Sequence, residues 1–397
     1  MKKLVALSLL LLSSVVTLKG MLYATPQPLG EVPFEMQNQH MFFKLKVKDS
    51  RSLNFIFDTG ASMTVINPKT AKELSLESFG SMRIRGAGGM TNADRYQSIS
   101  FVNGDIRCKV GAIGFSVTHL EKRIGQQIDG IIGADLLNRY VVQIDYDQKL
   151  LRFFDFDGYY YKGKGQKVKL TMWGRLATCP LTVKLPNGEK HTDDFLIDTG
   201  AGLCLGFTTL FSNNYKLTSK FSKKYRFYTS GATTIKTYLE AAKLPQLKLG
   251  NHTFQNIPVT ISSTRQGVMG TYRNGGILGN RILKKFNITF NYRTRQSYWE
   301  PNRAYPKPFK QNCAGLMFSY EQNFQQIKVH QVIKNSAAAE AGLKKGDWIV
   351  KINGKQVQAK DIHWIRTQLG VPGNKVKLEI RRKKETKLVT LKLKSMI

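Results

Sequence analysis

Asp-Thr-Gly-Ala occurs twice in this chain, at Asp58 to Ala61 and at Asp198 to Ala201, and each copy closes an apolar run, Phe55-Ile56-Phe57 in one case and Phe195-Leu196-Ile197 in the other. A single Asp-Thr-Gly is a weak signal, because Asp and Gly are ordinary turn residues. Two copies in the same setting point to a shared site. One carboxylate cannot both deprotonate a water and protonate a carbonyl, whereas two facing carboxylates that share a proton supply both functions. Gly60 and Gly200 have no side chain to hold backbone N–H groups away from those carboxylates, which favours an ionised form and fixes its direction. Other chemistries find little support. The six histidines are scattered without an HExxH pattern, and Cys108, Cys179, Cys204 and Cys313 lack CxxC or zinc spacing, so no metal and no cofactor are expected. Cys204 reads equally well as a small buried thiol, and any disulfide pairing is unreadable.

The elements that must position the two Asp residues repeat as well. Ile131-Ile132-Gly133, followed by Leu136-Leu137-Asn138-Arg139-Tyr140-Val141-Val142-Gln143-Ile144-Asp145-Tyr146, is matched by Ile277-Leu278-Gly279, then Ile282 to Tyr292. The offset is 140 residues at the Asp motifs and 146 here, which a six-residue insertion in the second repeat's loops explains. Alternating segments such as Phe42 to Val47, Leu53 to Phe57, Leu181 to Leu185 and Phe286 to Phe290 read as strands, and Asn187-Gly188 as a hairpin turn. Long helical patterns are scarce before about residue 335. The body is therefore mainly β, in two lobes spanning 25–165 and 166–300. Pro301, Pro306 and Pro308 break both periods and mark 301–310 as a linker. A small α+β domain, 311–397, follows. It contains strand-like Ile327 to Ile333, a short Ala-rich helix capped by Ser336, the strand Trp348 to Ile352, an Asn353-Gly354 turn, a helix near Asp361 to Leu369, and basic strands at Lys375 to Arg381 and Lys387 to Lys394.

The paired Asp-Thr-Gly-Ala motifs with their apolar-apolar-Gly partners resemble the pepsin and retropepsin clan. The run Ala337-Ala338-Ala339-Glu340-Ala341-Gly342-Leu343-Lys344-Lys345-Gly346-Asp347-Trp348-Ile349-Val350-Lys351-Ile352-Asn353-Gly354 is close to the pattern of PDZ domains. Together they are similar to secreted bacterial aspartyl proteases that carry a C-terminal PDZ domain, and Ala after each Gly is more in the retropepsin style. The resemblance implies an acid-protease fold of two duplicated lobes, with Asp58 and Asp198 as catalytic residues. It implies that Thr59 and Thr199 bond across the lobe junction, beside Gly60 and Gly200, and that Ile131 to Gly133 and Ile277 to Gly279 thread behind the Asp loops. Arg85-Gly86-Ala87-Gly88-Gly89 resembles a retropepsin flap tip, with Gly86, Ala87, Gly88 and Gly89 over the substrate, and Thr229-Ser230-Gly231-Ala232 occupies the equivalent place in the second repeat. Gly315, Leu316, Met317 and Phe318 would form the carboxylate-binding loop of the PDZ domain and the strand that accepts a peptide. Asp129-Gly130 stands where the second repeat has Gly275-Gly276, and Asp129 reads as a turn residue.

The expected function is an aspartic endopeptidase acting on extended peptide or protein substrates, with a PDZ domain for ligands that have free C-termini. The alternative is a catalytically inert scaffold that binds peptides through the PDZ domain. Duplication makes a monomeric active site sufficient. Lys2-Lys3, an apolar stretch from Leu4 to Leu18 and small Ala24 read as a signal peptide over 1–24, implying a periplasmic or extracellular protein, or a membrane-anchored one if the leader stays uncleaved. With 61 Lys and Arg against 27 Asp and Glu, the net charge of +34 makes an anionic cell-envelope surface a candidate partner. No helix-turn-helix, zinc-finger or aromatic-rich nucleic-acid signature accompanies that charge, so no specific nucleic acid is expected.

Overall fold

The computed structural model describes residues 25–47, 49–86, 89–103, 106–231 and 233–397. The proposed signal peptide and the flap residues Ala87, Gly88 and Ala232 lie outside them. Strands dominate, as the alternating patterns require. Leu53–Phe57 is buried at every position: Leu53, Phe55 and Phe57 enter the main lobe core and Ile56 a second apolar cluster on the other face, while His40–Val47 pairs antiparallel along one edge and Gly130–Ile132 parallel along the other. A strand enclosed in this way needs apolar side chains on both faces, which is why its sequence runs rather than alternates. The second repeat builds the same crossing: Lys190–Asp198 pairs parallel with Gly276–Gly279, which pairs antiparallel with Leu205–Phe207.

The lobes are joined through a shared sheet. Val141–Asp145 of the first repeat lies antiparallel to Phe286–Asn291 of the second, with Val142 opposite Phe290, Gln143 opposite Thr289 and Ile144 opposite Ile288. Gln143 and Thr289 are 146 apart, the offset of the repeat, so the local two-fold axis passes between them. Among the described residues the result is a 13-stranded sheet that includes strands of both repeats, an 8-stranded sheet in the second repeat and a 6-stranded sheet beyond residue 315. One continuous apolar core runs through both lobes, from Val32 to Trp299.

The C-terminal domain has its own core. Among the described residues, its sheet places Leu316–Glu321 at an edge, paired only with Gln326–Val332, and the Ile362–Gln368 helix packs within the same core. Ser336 accepts the Ala339 N–H and so caps the Ala337–Glu340 helix, while Asn353 and Gly354 take positive φ in the expected turn. The proline-rich stretch 301–310 does not hang free. Lys285 Nζ donates to the carbonyls of Ala304, Tyr305 and Lys307, and Tyr305 and Phe309 pack on the lobe core. All four cysteines are buried free thiols. Met396 and Ile397 are also buried, with the Met396 sulfur beside Gly315.

Asp129 is a structural residue of the first lobe. Its carboxylate is buried and accepts two bonds from Arg51, at 3.0 and 2.6 Å, and one each from the Asn54 N–H, the Thr70 hydroxyl and Gln127. Burial alone would raise its pKa, but the hydrogen bonds from Arg51, Asn54 and Thr70 outweigh it and hold the carboxyl below its ordinary range. A carboxylate depressed in the folded state stabilises the fold above its unfolded pKa and loses that contribution as pH falls through the folded value. Asp129→Ala is therefore expected to cost roughly 2–3 kcal/mol near neutral pH, by leaving the Asn54 N–H and Thr70 unpaired. The cost should shrink in acid. Urea titrations at pH 7 and pH 3 check this.

Candidate active site

Each Asp-Thr-Gly-Ala loop leaves its buried strand at the point where the parallel partner ends. The Asp58 N–H donates to Ile132 O at 3.0 Å, and Gly279 is the register partner of Asp198. Close threading demands glycine behind each loop: a Cβ on Gly133 would lie 1.6 Å from Asp58 O, and one on Gly279 would lie 2.3 Å from Leu203 O. The apolar-apolar-Gly segments thus sit where the resemblance put them.

Four hydrogen bonds lock the two loops across the junction. Thr59 N–H donates to Thr199 Oγ1 and Thr199 N–H to Thr59 Oγ1, both at 3.0 Å, while the Thr59 hydroxyl donates to Ile197 O at 2.6 Å and the Thr199 hydroxyl to Phe57 O at 2.9 Å. Both threonines are fully buried. The consequence is that each glycine faces the other lobe's carboxylate. A Cβ on Gly60 would fall 2.7 Å from Asp198 Cγ, and one on Gly200 would fall 2.3 Å from Asp58 Cγ.

The two carboxyl groups hydrogen-bond to one another, and both pKa values are raised. Burial is the main cause for each. For Asp198 the neighbouring Asp58 charge is next, and its carboxyl is held well above the ordinary range. Asp58 has better-placed donors: Gly60 N–H reaches its Oδ1 at 2.8 Å, and the Gly200 and Ala61 amides also oppose the rise. The Ala201 and Gly200 amides oppose the rise at Asp198 as well, but its Oδ1 is buried without a hydrogen-bond partner. The pair therefore retains one proton, shared between the two carboxyl groups, over an interval above the usual carboxylate range.

Both flaps reach the opposite lobe. Gly86 N–H donates to Gly89 O at 2.8 Å and closes the first flap's tip, and Gly86 O accepts the Val268 N–H at 3.0 Å from the second lobe's Gly267–Thr271 helix. A Cβ on Gly89 would lie 2.5 Å from Ile235 Cδ1, so the two flap hairpins touch. The second flap, between Tyr225–Thr229 and Thr237–Leu249, is held by the first lobe's Thr118–Ile124 helix: Arg123 donates to the Thr229 hydroxyl at 3.0 Å and to Ser230 O, and His119 Nε2 to Gly231 O at 2.8 Å. Ala61, Met63, Met82 and Ile84 on one lobe and Ala201, Leu203, Val268 and Tyr272 on the other are half-buried apolar groups flanking the Asp loops.

Two residues near the site, Tyr272 and His40, carry no sequence signal, and Arg85 enters the sequence reading only as the start of the flap motif. Tyr272 follows the Gly267–Thr271 helix and brings to the cleft a tyrosine that the first flap tip lacks; burial pushes its hydroxyl up to about 12, with the Asp198 charge acting the same way and Arg85 opposing. Arg85 on the first flap stem donates to the Thr271 hydroxyl at 3.3 Å. His40, pushed down to about 3 by burial and by the Arg123 and Arg366 charges, is neutral and bonds to the backbone of Gly200.

The residues predicted at the C-terminal groove are adjacent in the edge strand, with two qualifications. Gly315 has φ +74° and a Cβ there would lie 2.1 Å from Ser336 Cβ, so glycine is required, but its N–H already donates to Asn312 Oδ1 at 2.9 Å. Leu316, Met317 and Phe318 start the strand, whose register shifts between Met317 and Phe318.

A fold of two crossed-strand lobes with facing Asp-Thr-Gly loops defines the acid-protease class. The aspartyl protease family model matches residues 43–136 and 181–281, one segment in each lobe, and the PDZ domain model matches residues 314–393. The chain thus carries a retropepsin-like aspartyl protease region, one segment in each lobe, followed by a C-terminal PDZ domain. A search of curated proteins found no match.

Thr199→Val keeps the shape of the loop while removing the acceptor for the Thr59 N–H and the donor to Phe57 O. An expected loss of roughly 2–4 kcal/mol of stability follows from two buried backbone groups left unpaired. Thr199→Ser should lose less than 1 kcal/mol or so by the same reasoning. Thermal melts of the two variants beside wild type distinguish them.

Proposed function

We propose that the protein is an endopeptidase that hydrolyses extended peptide segments with the Asp58–Asp198 pair. The observation that carries this reading is the pair of Asp carboxyl groups facing each other across the lobe junction, each set against the other loop's glycine and held by the Thr59–Thr199 lock. Water sits between the two groups. Asp58, the better-stabilised anion, takes a proton from the water as its oxygen attacks the scissile carbonyl carbon, and Asp198 gives its proton to the carbonyl oxygen. The neutral tetrahedral diol then collapses: Asp198 recovers a proton from one hydroxyl, Asp58 delivers one to the amide nitrogen, and the C–N bond breaks. No covalent enzyme intermediate forms. Thr59, Gly60, Thr199 and Gly200 hold the geometry, and the first flap, whose described residues Gly86 and Gly89 close its tip, is the segment that would cover the substrate backbone.

The half-buried apolar groups that flank the Asp loops favour apolar side chains on either side of the cleaved bond. The PDZ domain supplies recognition of peptide or protein C-termini through Leu316, Met317 and Phe318, with Gly315 shaping the loop. We further assign the protein to the periplasm or extracellular space on the strength of its Lys2-Lys3 leader, and its charge to adhesion on anionic envelope surfaces. That adhesion should weaken on raising salt in a sedimentation assay with anionic vesicles.

Asp58→Asn and Asp198→Asn should each lower kcat on a mixed peptide library by at least about 10³-fold, the upper part of the range for removing an acid or base. An inert peptide-binding scaffold would show no turnover in wild type either. Stability separates the roles further. A carboxyl whose folded pKa is raised contributes stability below its unfolded pKa and loses it as pH rises through the folded value. Asp198→Asn removes that loss, so the inactive variant should melt higher than wild type at pH 7 and equal to it below about pH 4. Calorimetry across pH checks it, and an unchanged melting difference at both ends rejects the assignment of the proton to Asp198.

A further inference from the structure

The ligand-accepting edge of the PDZ domain is already covered. The Thr118–Ile124 helix of the first lobe packs along Leu316–Glu321, and Lys122 Nζ pairs with Glu321 Oε2 at 2.8 Å. At the end of that helix Gly125 takes φ +84°, and a Cβ there would lie 2.8 Å from Ala359 Cβ and 2.9 Å from the Tyr320 ring. The helix end therefore fits between the edge strand and the turn that leads into the Ile362–Gln368 helix, the two walls of a PDZ groove. Gln37 Nε2 donates to Ala359 O at 3.1 Å and Asn38 Nδ2 to Arg123 O at 2.9 Å, which ties the same corner to the turn before His40.

This helix is also the one that holds the second flap, through Arg123 and His119. The PDZ domain touches that flap directly as well: Tyr228 N–H donates to Gln331 Oε1 at 3.3 Å, and the Tyr228 ring meets His330 edge-on at 5.4 Å. By contrast, the first flap's bonds to the second lobe run to Val268 and Thr271, within the protease body. The strand that would receive a peptide and the strand that would be released are thus linked by one short helix.

We propose that the PDZ domain is a latch on the second flap, with Arg123 as its positioning residue, and that a peptide entering the PDZ groove by its free carboxylate displaces the Thr118–Ile124 helix and frees the flap. An added strand along Leu316–Glu321 needs the space the helix now fills, so both cannot be seated together. The energy difference is carried by the Arg123 and His119 bonds, the Lys122–Glu321 pair and the Gly125 contact. The consequence for cleavage rests on the catalytic reading above; the latch itself does not.

The test is amide hydrogen exchange of the full-length protein without substrate, read over 225–231. Arg123→Ala removes the bonds to Thr229 and Ser230. Gly125→Asn places a Cβ against Ala359 and Tyr320 with a residue that tolerates positive φ, and so wedges the PDZ domain off the helix as a bound peptide would. Both should raise exchange over 225–231 roughly tenfold or more, and the double variant no further, because they open the same latch. Lys122→Glu should raise it by less and Glu321→Lys added to it should reverse the rise, a pair that serves if the wedge variant does not fold. Flap exchange equal to wild type in Gly125→Asn, or in Lys122→Glu if the wedge does not fold, overturns the latch. In peptide cleavage the same variants should raise KM several-fold with kcat less changed. Absence of cleavage in wild type would count against the catalytic reading alone, since exchange is measured without turnover.

Discussion

Two acidic side chains are forced together at the centre of this molecule, and most of its architecture answers that demand. Two unit charges at about 4 Å repel by roughly 4 kcal/mol at the effective dielectric of a partly wet protein site. The four Thr59 and Thr199 bonds, at roughly 1 kcal/mol each, are of the same size. A retained proton removes much of the repulsion that remains. The glycines complete the arrangement, because any side chain at Gly60 or Gly200 would collide with the opposite carboxylate and push the lobes apart. Acid–base pairing, loop composition and the lobe junction are one constraint seen at three scales.

Duplication meets that constraint with little information, since one loop design, used twice about an axis between Gln143 and Thr289, makes a self-complementary junction. The copies then diverge where the junction no longer binds them. Asp129 anchors Arg51, Asn54 and Thr70 in the first lobe, whereas Gly275 in the second leaves room only for the Phe195 ring, 2.6 Å from where a Cβ would stand. Asp135 likewise accepts the Thr64 hydroxyl and pairs with Arg175, and its counterpart at the repeat offset is the cation Arg281. The flaps remain related by the two-fold, each held by the opposite lobe's short helix. Only one of those helices has acquired the PDZ domain.

The strands, the Asp loops and their glycine partners were legible because each is a local pattern: an apolar run, a tetrapeptide, a glycine after two apolar residues. The PDZ elements were legible for the same reason, down to the Ser336 cap and the Asn353-Gly354 turn. Tyr272, His40 and Arg123 were not. Each matters through a partner far away in the chain, and nothing near Tyr272 announces that Asp198 is close. The proline-rich stretch 301–310 read as a linker because prolines break periodicity, yet its carbonyls converge on Lys285 and its rings pack on the lobe. Composition reports what a segment cannot form. It does not report what the segment lies against.

The seam between the PDZ domain and the second lobe has an electrostatic character that suits a reversible contact. Burial pushes Lys284 down to about 8, with the charges of Arg281 and Arg366 acting the same way, and Arg366 down to about 10, with Arg281 adding to it. His363 and Lys310 are lowered by burial and then by these same cations and Lys307. Like charges are thus gathered where lobe, linker and PDZ helix meet, and they oppose docking. Of the contacts that favour it, the Lys122–Glu321 pair and the Gly125 fit lie on the first-lobe side, and the Tyr228 contacts with Gln331 and His330 on the second. Repulsion within an interface lowers the net cost of separating it, which is the condition under which a competing interaction at the Leu316–Glu321 edge can shift the docking equilibrium. Raising salt screens the exposed Lys122–Glu321 pair more than the buried cations of the seam, and therefore weakens the docked state.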